Sequence, residues 1–248
     1  MRNLLKIDNL RKIYHTPKEE ILALDNFSYT LSEGEFVSIV GPSGCGKSTI
    51  LSILSDLMKP SDGTIELEKD IKVGYMLQQD CLFDFRTILD NCLLGLEIQN
   101  ELTEENREYV VHLLETYGLK DFMYRYPENL SGGMRQRVAL IRTLATKPDI
   151  LLLDEPFSAL DYQTRLAVSD DVYQILKKEK KSAIMVTHDI AEAISMSDHI
   201  IVMTARPGKI KKIYTIELTN KSNPIENRKA KEFSTYYEQI WKDIDFRV

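Results

Sequence analysis

Cysteine is scarce in this sequence, and none of it is spaced as a metal-binding pair. The 248 residues contain three cysteines, Cys45, Cys81 and Cys92. An odd number without a framework spacing is typical of a reducing compartment. The absence of any C-x-x-C pair argues against a structural zinc site.

Long apolar runs are also missing. No stretch approaches the roughly 20 apolar residues that a helix needs to cross a bilayer. The first eight residues lack the apolar core of a secretion signal, and no internal repeat or low-complexity tract is present. These absences favour a soluble, cytoplasmic chain forming one large domain, or a domain with an inserted lobe.

An excess of positive charge is absent as well. The chain has 32 Lys and Arg against 38 Asp and Glu, giving a net charge of −6. Proteins that bind nucleic acid along a broad surface usually present a basic face. The charge balance therefore argues against bulk nucleic-acid binding, although it leaves room for a local basic patch.

One glycine-rich segment carries the strongest chemical signal. It matches G-x-x-x-x-G-K-[ST] at every fixed position and reads Gly41-Pro42-Ser43-Gly44-Cys45-Gly46-Lys47-Ser48-Thr49. Glycines let successive backbone N–H groups turn inward and form a nest for phosphate oxygens. Lys47 adds a positive charge for the outer phosphates, and the Ser48 hydroxyl can ligate Mg²⁺.

The flanks of this loop agree with a phosphate site. Phe36 to Val40 is predicted to be a buried strand, and Ser48 to Met58 a helix that stops near Pro60. A strand, loop and helix in this order place phosphates on the positive N-terminus of the helix. Cys45 occupies a variable loop position, and its thiol should be reactive if the helix N-terminus lowers its pKa.

The chain changes character along its length. Strands are predicted in the first part, at residues 4–14, 21–31, 64–67 and 72–76. Residues 86–130 have a helical pattern instead, with Thr103 as a cap, Gly118 as a stop and an apolar face between them, formed by Tyr109, Leu113, Leu114 and Tyr117. This segment is predicted to be an inserted helical lobe.

Short, fully apolar strands alternate with helices after the lobe. They are predicted at residues 150–153, 183–186 and 200–203, a pattern typical of a parallel sheet covered on both faces. Residues 220–231 are polar and predicted to form a loop. The tail carries apolar residues at helical spacing, which favours docking on the chain's own core over binding a partner: Phe233, Tyr236, Tyr237, Ile240, Trp241 and Ile244.

Two acidic residues follow the first of these apolar strands. A buried strand delivers Asp154 and Glu155 to its carboxyl end, where ligands bind in open α/β sheets. Asp154 can hold Mg²⁺ or its water. Glu155 would project differently, toward an attacking water, and is our candidate general base. Alone, the pair would be an ordinary acidic turn before Pro156; the phosphate loop upstream makes that interpretation improbable.

A second helix start follows the predicted lobe. Ser131 is a good cap for a helix predicted from Met134 to Ala145, and Gly132 and Gly133 expose backbone N–H groups. The segment Leu130 to Met134 therefore fits a second anion-binding helix start. An ordinary capped helix after Pro127 fits these five residues equally well.

Taken in order, these motifs resemble the nucleotide-binding subunit of an ABC transporter. The resemblance spans most of the chain and rests on the Gly41–Thr49 loop, Leu130-Ser131-Gly132-Gly133, Asp154-Glu155, Ser158-Ala159-Leu160-Asp161 and His188. It implies an α/β fold with a P-loop NTPase core, a mixed sheet and an N-terminal antiparallel β portion. A single domain over 1–248 would comprise a core of 1–85 and 131–220, a helical lobe of 86–130 and a helical tail of 221–248.

The resemblance also assigns cofactors and roles. It implies ATP and Mg²⁺, with Gln78 reaching the metal and the water and signalling to a membrane subunit. His188 would contact the γ-phosphate, and Tyr14 would stack on adenine. Gln79 is an alternative to Gln78, and Tyr29 to Tyr14.

Partners follow from the same resemblance. Two copies would pair head to tail, so that Ser131 and Gly133 of one copy act on ATP held by the other, with Asp161 at the interface. A separate transmembrane permease, and indirectly a substrate-binding protein, would complete the assembly at the cytoplasmic face of the inner membrane. No nucleic acid is expected.

The branch of the family is indicated by two further segments. Leu82 to Thr87 resembles the L-x-P-W-R-T segment of nitrate, sulfonate and taurine importers, with Asp84 and Phe85 replacing the proline and tryptophan. Met203 to Ile210 resembles their S-x-R-P-G-x-I segment. Importers of thiamine precursors remain an option, and the two replacements leave the permease and the substrate open.

Other functions stay as alternatives. A soluble ABC ATPase acting on DNA or ribosomes would carry a long coiled-coil insertion or a second cassette, and this chain has neither. A small P-loop kinase would leave Leu130–Gly133 and His188 unexplained. An exporter would usually fuse the ATPase to transmembrane helices.

Overall fold

The computed structural model describes residues 2–158 and 160–244. Ala159 of the Ser158–Asp161 motif and the last four residues of the predicted tail lie outside the described residues. Within the described part, nine strands form two sheets: β1 (Asn3–His15), β2 (Glu20–Ser32), β3 (Phe36–Val40), β4 (Asp62–Leu67), β5 (Val73–Met76), β6 (Ile150–Asp154), β7 (Ser182–Val186), β8 (His199–Met203) and β9 (Ile210–Thr215).

The smaller sheet is antiparallel and has the order β2-β1-β4. Its long hairpin, β1 and β2, begins and ends within one residue of the strands predicted from the sequence. The buried residues of this hairpin pack against the phosphate-loop helix and one face of the larger sheet. The N-terminal antiparallel portion of the predicted fold is therefore confirmed.

The larger sheet has the order β5-β6-β7-β3-β8-β9, and only the β8–β9 pair is antiparallel. Along β6, Ile150 and Leu152 belong to the cluster beneath the small sheet, whereas Leu151 and Leu153 belong to the cluster beneath the helices. Both faces of the strand are thus covered, which explains its continuous apolar sequence. The predicted mixed α/β class is confirmed.

Eight α-helices lie in the described part of the chain: α1 (Lys47–Leu54), α2 (Ile88–Ile98), α3 (Glu104–Thr116), α4 (Gly132–Ala145), α5 (Tyr162–Lys178), α6 (Ile190–Met196), α7 (Pro224–Asn227) and α8 (Phe233–Asp243). The predicted extent of α1, to Met58, was wrong. The helix stops at Leu54 because Ser55 leaves the helical conformation and Asp56 has a left-handed φ of 58°.

The segment between β5 and β6 is helical, as predicted. Thr103 caps α3 by accepting a hydrogen bond from the Asn106 N–H, and Gly118 follows the helix with a φ of 73°. Helices α2 and α3 pack on α4, whose other neighbours include α5 and the sheet. One continuous apolar cluster therefore joins the helical segment to the strands that carry the site.

The C-terminal part contains one helix that the sequence analysis missed. Residues 224–227 form the short α7 within the predicted loop, because Asn223 caps it and Asn227 is buried with its amide bonded to the Ser195 carbonyl. Helix α8 confirms the predicted tail helix. Ile240 and Ile244 are buried against α6 and the edge of the large sheet, which supports docking on the chain's own core.

Candidate active site

The carboxyl ends of four neighbouring parallel strands meet at one edge of the large sheet. In spatial order, β5 leads to Gln78, β6 to Glu155, β7 to His188 and β3 to the phosphate loop. Ligands in open α/β folds bind at such an edge. Segments far apart in the sequence are thereby brought together around one cleft.

The phosphate loop turns sharply before α1. Gly46 has a φ of 99° and lies so near β2 that a Cβ there would be 2.6 Å from the Leu24 side chain. A larger residue would be strained in both respects. Glycine at this position lets α1 begin at Lys47 with its free N–H groups facing the cleft.

Lys47 is held inside the loop. Its Nζ donates hydrogen bonds to the carbonyls of Gly41 and Pro42, at 2.8 and 2.9 Å, and the residue is only 7% exposed. The loop carbonyls thus compensate the buried ammonium group. The positive charge is positioned within the nest rather than in solvent.

Asp154 lies beside the loop and is buried. Its Oδ1 accepts from the Ser48 hydroxyl and its Oδ2 from the Tyr75 hydroxyl, both at 3.2 Å. Burial raises the pKa of Asp154 above its ordinary value, against the opposing effect of these two hydrogen bonds. A buried carboxylate next to a hydroxyl offers the oxygen ligands that Mg²⁺ prefers.

Ser48 and Asp154 fit a Mg²⁺ ion that takes only a few of its ligands from the protein. Among residues 2–158 and 160–244, no cluster of three His, Cys, Asp or Glu side chains forms a metal site. Mg²⁺ commonly binds through one or two protein oxygens together with waters and substrate phosphates. The pairing of Ser48 with Asp154 matches that mode.

Glu155 is the point where the other catalytic candidates converge. Its Oε2 lies 3.3 Å from Gln78 Nε2 and 3.3 Å from His188 Nδ1. Glu155 has a left-handed φ of 44°, which is uncommon for a residue with a side chain. The structure thus brings Gln78, Glu155 and His188 together, and the direct contact to Glu155 favours Gln78 over Gln79.

A cleft of about 560 Å³ lies in front of the loop. Its walls come from the β1–β2 hairpin, the phosphate loop, Glu155 and one more arginine: Tyr14, Thr16, Ile21, Ala23, Ser43, Gly44, Gly46, Lys47, Ser48, Thr49, Glu155 and Arg206. Tyr14 forms one wall, with its hydroxyl 3.0 Å from Thr49 Oγ1. Tyr29 bonds to Glu35 instead and does not line this cleft.

The second predicted anion site lies apart from the cleft. Ser131 caps α4 by accepting from the Met134 N–H, so α4 starts two residues before the predicted Met134. Ser131 and Gly132 are exposed, whereas Gly133 is buried against α5. Asp161 caps α5, accepting from the N–H groups of Gln163 and Thr164. Within one chain, none of these residues lines the phosphate-loop cleft.

The expectation of a reactive Cys45 is not supported. Cys45 is buried, and burial raises the pKa of its thiol despite the nearby Lys47 charge. A protonated, inaccessible thiol is a poor nucleophile. The residue packs beneath the loop with the β2 and β8 side chains of the same cluster.

Arg206 is a cleft residue that the sequence analysis did not assign to the site. It lies in the turn between β8 and β9, and its Nε and Nη2 are each 3.4 Å from the Gly44 carbonyl oxygen. The two residues are 162 positions apart. Its sequence signal is its place in the Arg206-Pro207-Gly208 segment, which indicates the branch of the family and not a ligand contact.

A phosphate loop, a buried aspartate and a neighbouring glutamate at one sheet edge define a P-loop nucleotide-binding protein. The family model described as ABC transporter matches residues 24–158, more than half of the chain. The chain therefore belongs to the ABC transporter family, as one of its ATP-binding subunits.

Relatives match over nearly the full length. An uncharacterised ABC transporter ATP-binding protein of Bacillus subtilis is 45% identical, covering 98% of this chain and 96% of its own. A taurine import ATP-binding protein of Ruegeria pomeroyi is 36% identical, covering 97% and 92%.

Solved structures agree with the family and the activity. The ATP-binding cassette MJ0796, in a dimeric post-hydrolysis state bound to ADP and Pi, is 33% identical with a TM-score of 0.73. The match covers 86% of this chain and 99% of that one. The chain is thus an ABC-type ATPase, and it binds ATP. None of the helices in residues 2–158 and 160–244 is long and apolar enough to cross a bilayer.

Proposed function

We propose that this chain is the motor subunit of an ABC importer for a small solute, and that it drives a separate permease at the cytoplasmic face of the membrane. The convergence of Gln78 and His188 on Glu155, beside the phosphate loop, carries the catalytic part of the proposal. The taurine import relative supports the importer branch. Taurine-like, sulfonate, nitrate and thiamine-precursor solutes are the candidate cargo.

The reaction follows from the positions of the side chains. Loop N–H groups and Lys47 bind the phosphates, with Tyr14 beside the base. Glu155 accepts a proton from the attacking water, while His188 and Gln78 hold that carboxylate and the water in place. When bound between Ser48 and Asp154, Mg²⁺ would neutralise charge on the phosphate oxygens.

A second copy of the chain completes the site in this proposal. The exposed start of α4, at Ser131 and Gly132, presents a capped helix N-terminus to solvent rather than to its own cleft. Such a terminus suits an anion. Head-to-tail pairing would place it over ATP held by the partner copy, with Asp161 at the interface, and the dimeric MJ0796 cassette supports such pairing.

The permease contact is assigned to residues 82–87. Phe83 and Phe85 in this segment are 42% and 77% exposed, with ring centroids 5.4 Å apart, and Asp84 lies between them. Exposed aromatic pairs are frequent anchors in protein interfaces. The segment begins four residues after Gln78, so movement at the site can reach the permease through it.

A pull-down from detergent-solubilised native membranes tests this function, with partners identified by mass spectrometry. We expect the tagged chain to recover a polytopic permease and Phe85→Asp to lose it. Ile213→Asp, at a 43% exposed apolar residue on β9, is the matched control and should retain the permease. Recovery of ribosomal or DNA-repair proteins without a permease would replace the importer with the soluble ABC ATPase alternative.

A further inference from the structure

The turn at residues 204–209, between β8 and β9, packs directly on the phosphate loop. A Cβ on Gly208 would lie 1.9 Å from the Cys45 carbonyl oxygen, so this contact requires glycine. Gly208 also bonds to β2 in both directions, donating to the Ala23 carbonyl at 2.9 Å and accepting from the Asp25 N–H at 3.0 Å. The turn is therefore fixed against two walls of the nucleotide cleft.

Bonds within the turn make its shape definite. The Thr204 N–H donates to the Lys209 carbonyl at 2.9 Å, and the Thr204 hydroxyl donates to the Pro207 carbonyl at 3.0 Å. Lys209 adds an ion pair to Asp25 at 2.7 Å. The backbone that carries Arg206 is thus held in place, which limits where its side chain can reach.

The Arg206 guanidinium is positioned in the cleft but weakly engaged. Its contacts to the Gly44 carbonyl, at 3.4 Å, are long for hydrogen bonds. Within residues 2–158 and 160–244, the hydrogen bonds of the Arg206 side chain go to the Gly44 carbonyl and it forms no ion pair, and the residue is exposed. Lys47, by contrast, is buried and donates shorter hydrogen bonds to two loop carbonyls. Arg206 is thus a cation at the site with donors to spare.

We propose that Arg206 is a nucleotide-binding residue that donates hydrogen bonds to the phosphate chain of ATP bound to its own copy. A guanidinium fork matches the oxygens of a phosphate and forms strong charge-assisted bonds with them. On nucleotide binding, the side chain exchanges the Gly44 carbonyl for a phosphate oxygen. This inference rests on the proposed phosphate site at Gly41–Thr49 and adds a residue that lies outside every phosphate-loop motif.

Isothermal titration of the full chain with AMPPNP and GMPPNP, in the presence of Mg²⁺, tests the inference. Arg206→Ala should weaken both nucleotides about tenfold, because the lost contact is to phosphate and not to the base. Arg206→Lys should recover part of the loss, since a point charge replaces the fork. Lys209→Ala, which removes a positive charge from the same turn, is the matched control. Its ion pair with Asp25 is half-exposed and adds little stability beside the backbone bonds of Gly208 and Thr204, so this variant should bind near the wild-type level.

Four results would overturn the assignment of Arg206 as a residue that binds the phosphate chain of ATP. Normal affinity in Arg206→Ala, while Lys47→Ala loses binding, would leave the phosphate loop in place and make Arg206 structural. Equal losses in Arg206→Ala and Lys209→Ala, with lowered unfolding temperatures, would assign the effect to the fold of the turn. A loss for AMPPNP alone would mean a base contact. Normal binding by Lys47→Ala would remove the proposed phosphate site itself, and Arg206 with it.

Discussion

At the scale of single residues, our proposal assigns the hydrolytic step to one carboxylate that contacts two neighbouring side chains. Glu155 lies on a left-handed backbone position and contacts both Gln78 and His188 at 3.3 Å. These contacts position the carboxylate near the phosphate loop. The arrangement suits a base that must accept a proton and then release it.

Replacing that carboxylate separates binding from hydrolysis. Glu155→Gln keeps the size and the hydrogen bonds but cannot accept the proton, so we expect ATP affinity near wild type and turnover at least about a hundredfold lower. Phosphate release and nucleotide titration measure the two quantities. Glu238→Gln, at an exposed glutamate on α8, is the control. Turnover within a few fold of wild type would remove Glu155 as the base.

A second carboxylate, Glu192, makes stability depend on pH. Burial raises its pKa to about 7, and Asp189 adds to the shift, while the Thr187 hydroxyl and the Arg165 and Arg228 charges oppose it. The folded state therefore binds the proton more tightly than the unfolded state does. Its contribution to the free energy of unfolding is greatest below the unfolded pKa, near 4.5, and is lost as the pH rises through about 7.

Urea unfolding at pH 5.5 and pH 8 tests whether the contribution of Glu192 to stability falls as the pH rises. The decrease in unfolding free energy between these values should be smaller in Glu192→Gln than in the wild type, by about 2 kcal/mol, because 1.36 kcal/mol per pH unit applies over the roughly 1.5 units between pH 5.5 and the folded pKa of about 7. Glu238→Gln serves again as the exposed control. An identical pH dependence in the wild type and Glu192→Gln would contradict a raised pKa at this residue.

At the scale of elements, the segment after Gln78 is attached to α4. Asp80 accepts from Arg135 Nε and Nη2, at 2.7 and 2.9 Å. Arg142 donates to the carbonyls of Asp80 and Cys81. Burial raises the pKa of Asp80, but the Arg135 hydrogen bonds and charge outweigh it and hold the pKa below its ordinary value. Helix α4, whose start is the second candidate anion site, is therefore joined to the proposed permease segment.

A double-mutant cycle measures this attachment. For Asp80→Asn, Arg135→Gln and the double variant, we expect a coupling energy of about 1 kcal/mol at neutral pH, since the pair is partly exposed. The coupling should begin to decline as the pH falls below about 4, the ordinary pKa of an aspartate, and should be lost only once the pH is below the lowered pKa of Asp80. Additive single effects at neutral pH would show that the ion pair does not join the two elements.

The docking of α8 gives a prediction for the C-terminal element. Ile240 is fully buried, so Ile240→Ala should lower the free energy of unfolding by about 2–4 kcal/mol through lost contacts and a cavity. Gln239→Ala, at the exposed neighbouring position, should change it by less than about 0.5 kcal/mol. Denaturant unfolding measures both variants. If both changed the free energy of unfolding by the same small amount, α8 would not pack on the core.

Local patterns predicted the elements better than their ends. Strands β1 to β8 and the caps at Thr103 and Ser131 could be predicted because side-chain periodicity and capping act between near neighbours, whereas the edge strand β9 was not predicted. The end of α1 could not be predicted, since aspartate adopts a left-handed backbone more often than most residues but still only occasionally, and Asp56 carries no stronger signal. The short α7 was missed because its stability depends on Asn227 reaching Ser195, 32 positions away.

At the scale of the whole molecule, the sheet order determines which residues meet. Motif matching identified Gly41–Thr49, Asp154 and Glu155, because each is a contiguous segment with its own chemistry. Arg206 and the Asp80–Arg135 pair could not be found this way, since they depend on how a turn and a helix pack after folding. The predicted division into core, lobe and tail remains a prediction.

In our proposal, the nucleotide site of a single chain is incomplete. The cleft of one copy lacks Ser131, Gly133 and Asp161, whose helix starts are exposed elsewhere on that copy. ATP binding should therefore join two copies, and hydrolysis should separate them. A variant that binds ATP without hydrolysing it would accumulate the paired state.

Light scattering after size exclusion of Glu155→Gln, with and without ATP and Mg²⁺, is the most direct test of this account. We predict the monomer mass of 28.6 kDa without nucleotide and twice that mass with ATP. Adding Ser131→Arg should leave ATP bound but keep the chain monomeric. A monomer that persists despite bound ATP, or a dimer that forms equally well with Ser131→Arg, would contradict head-to-tail pairing across the nucleotide.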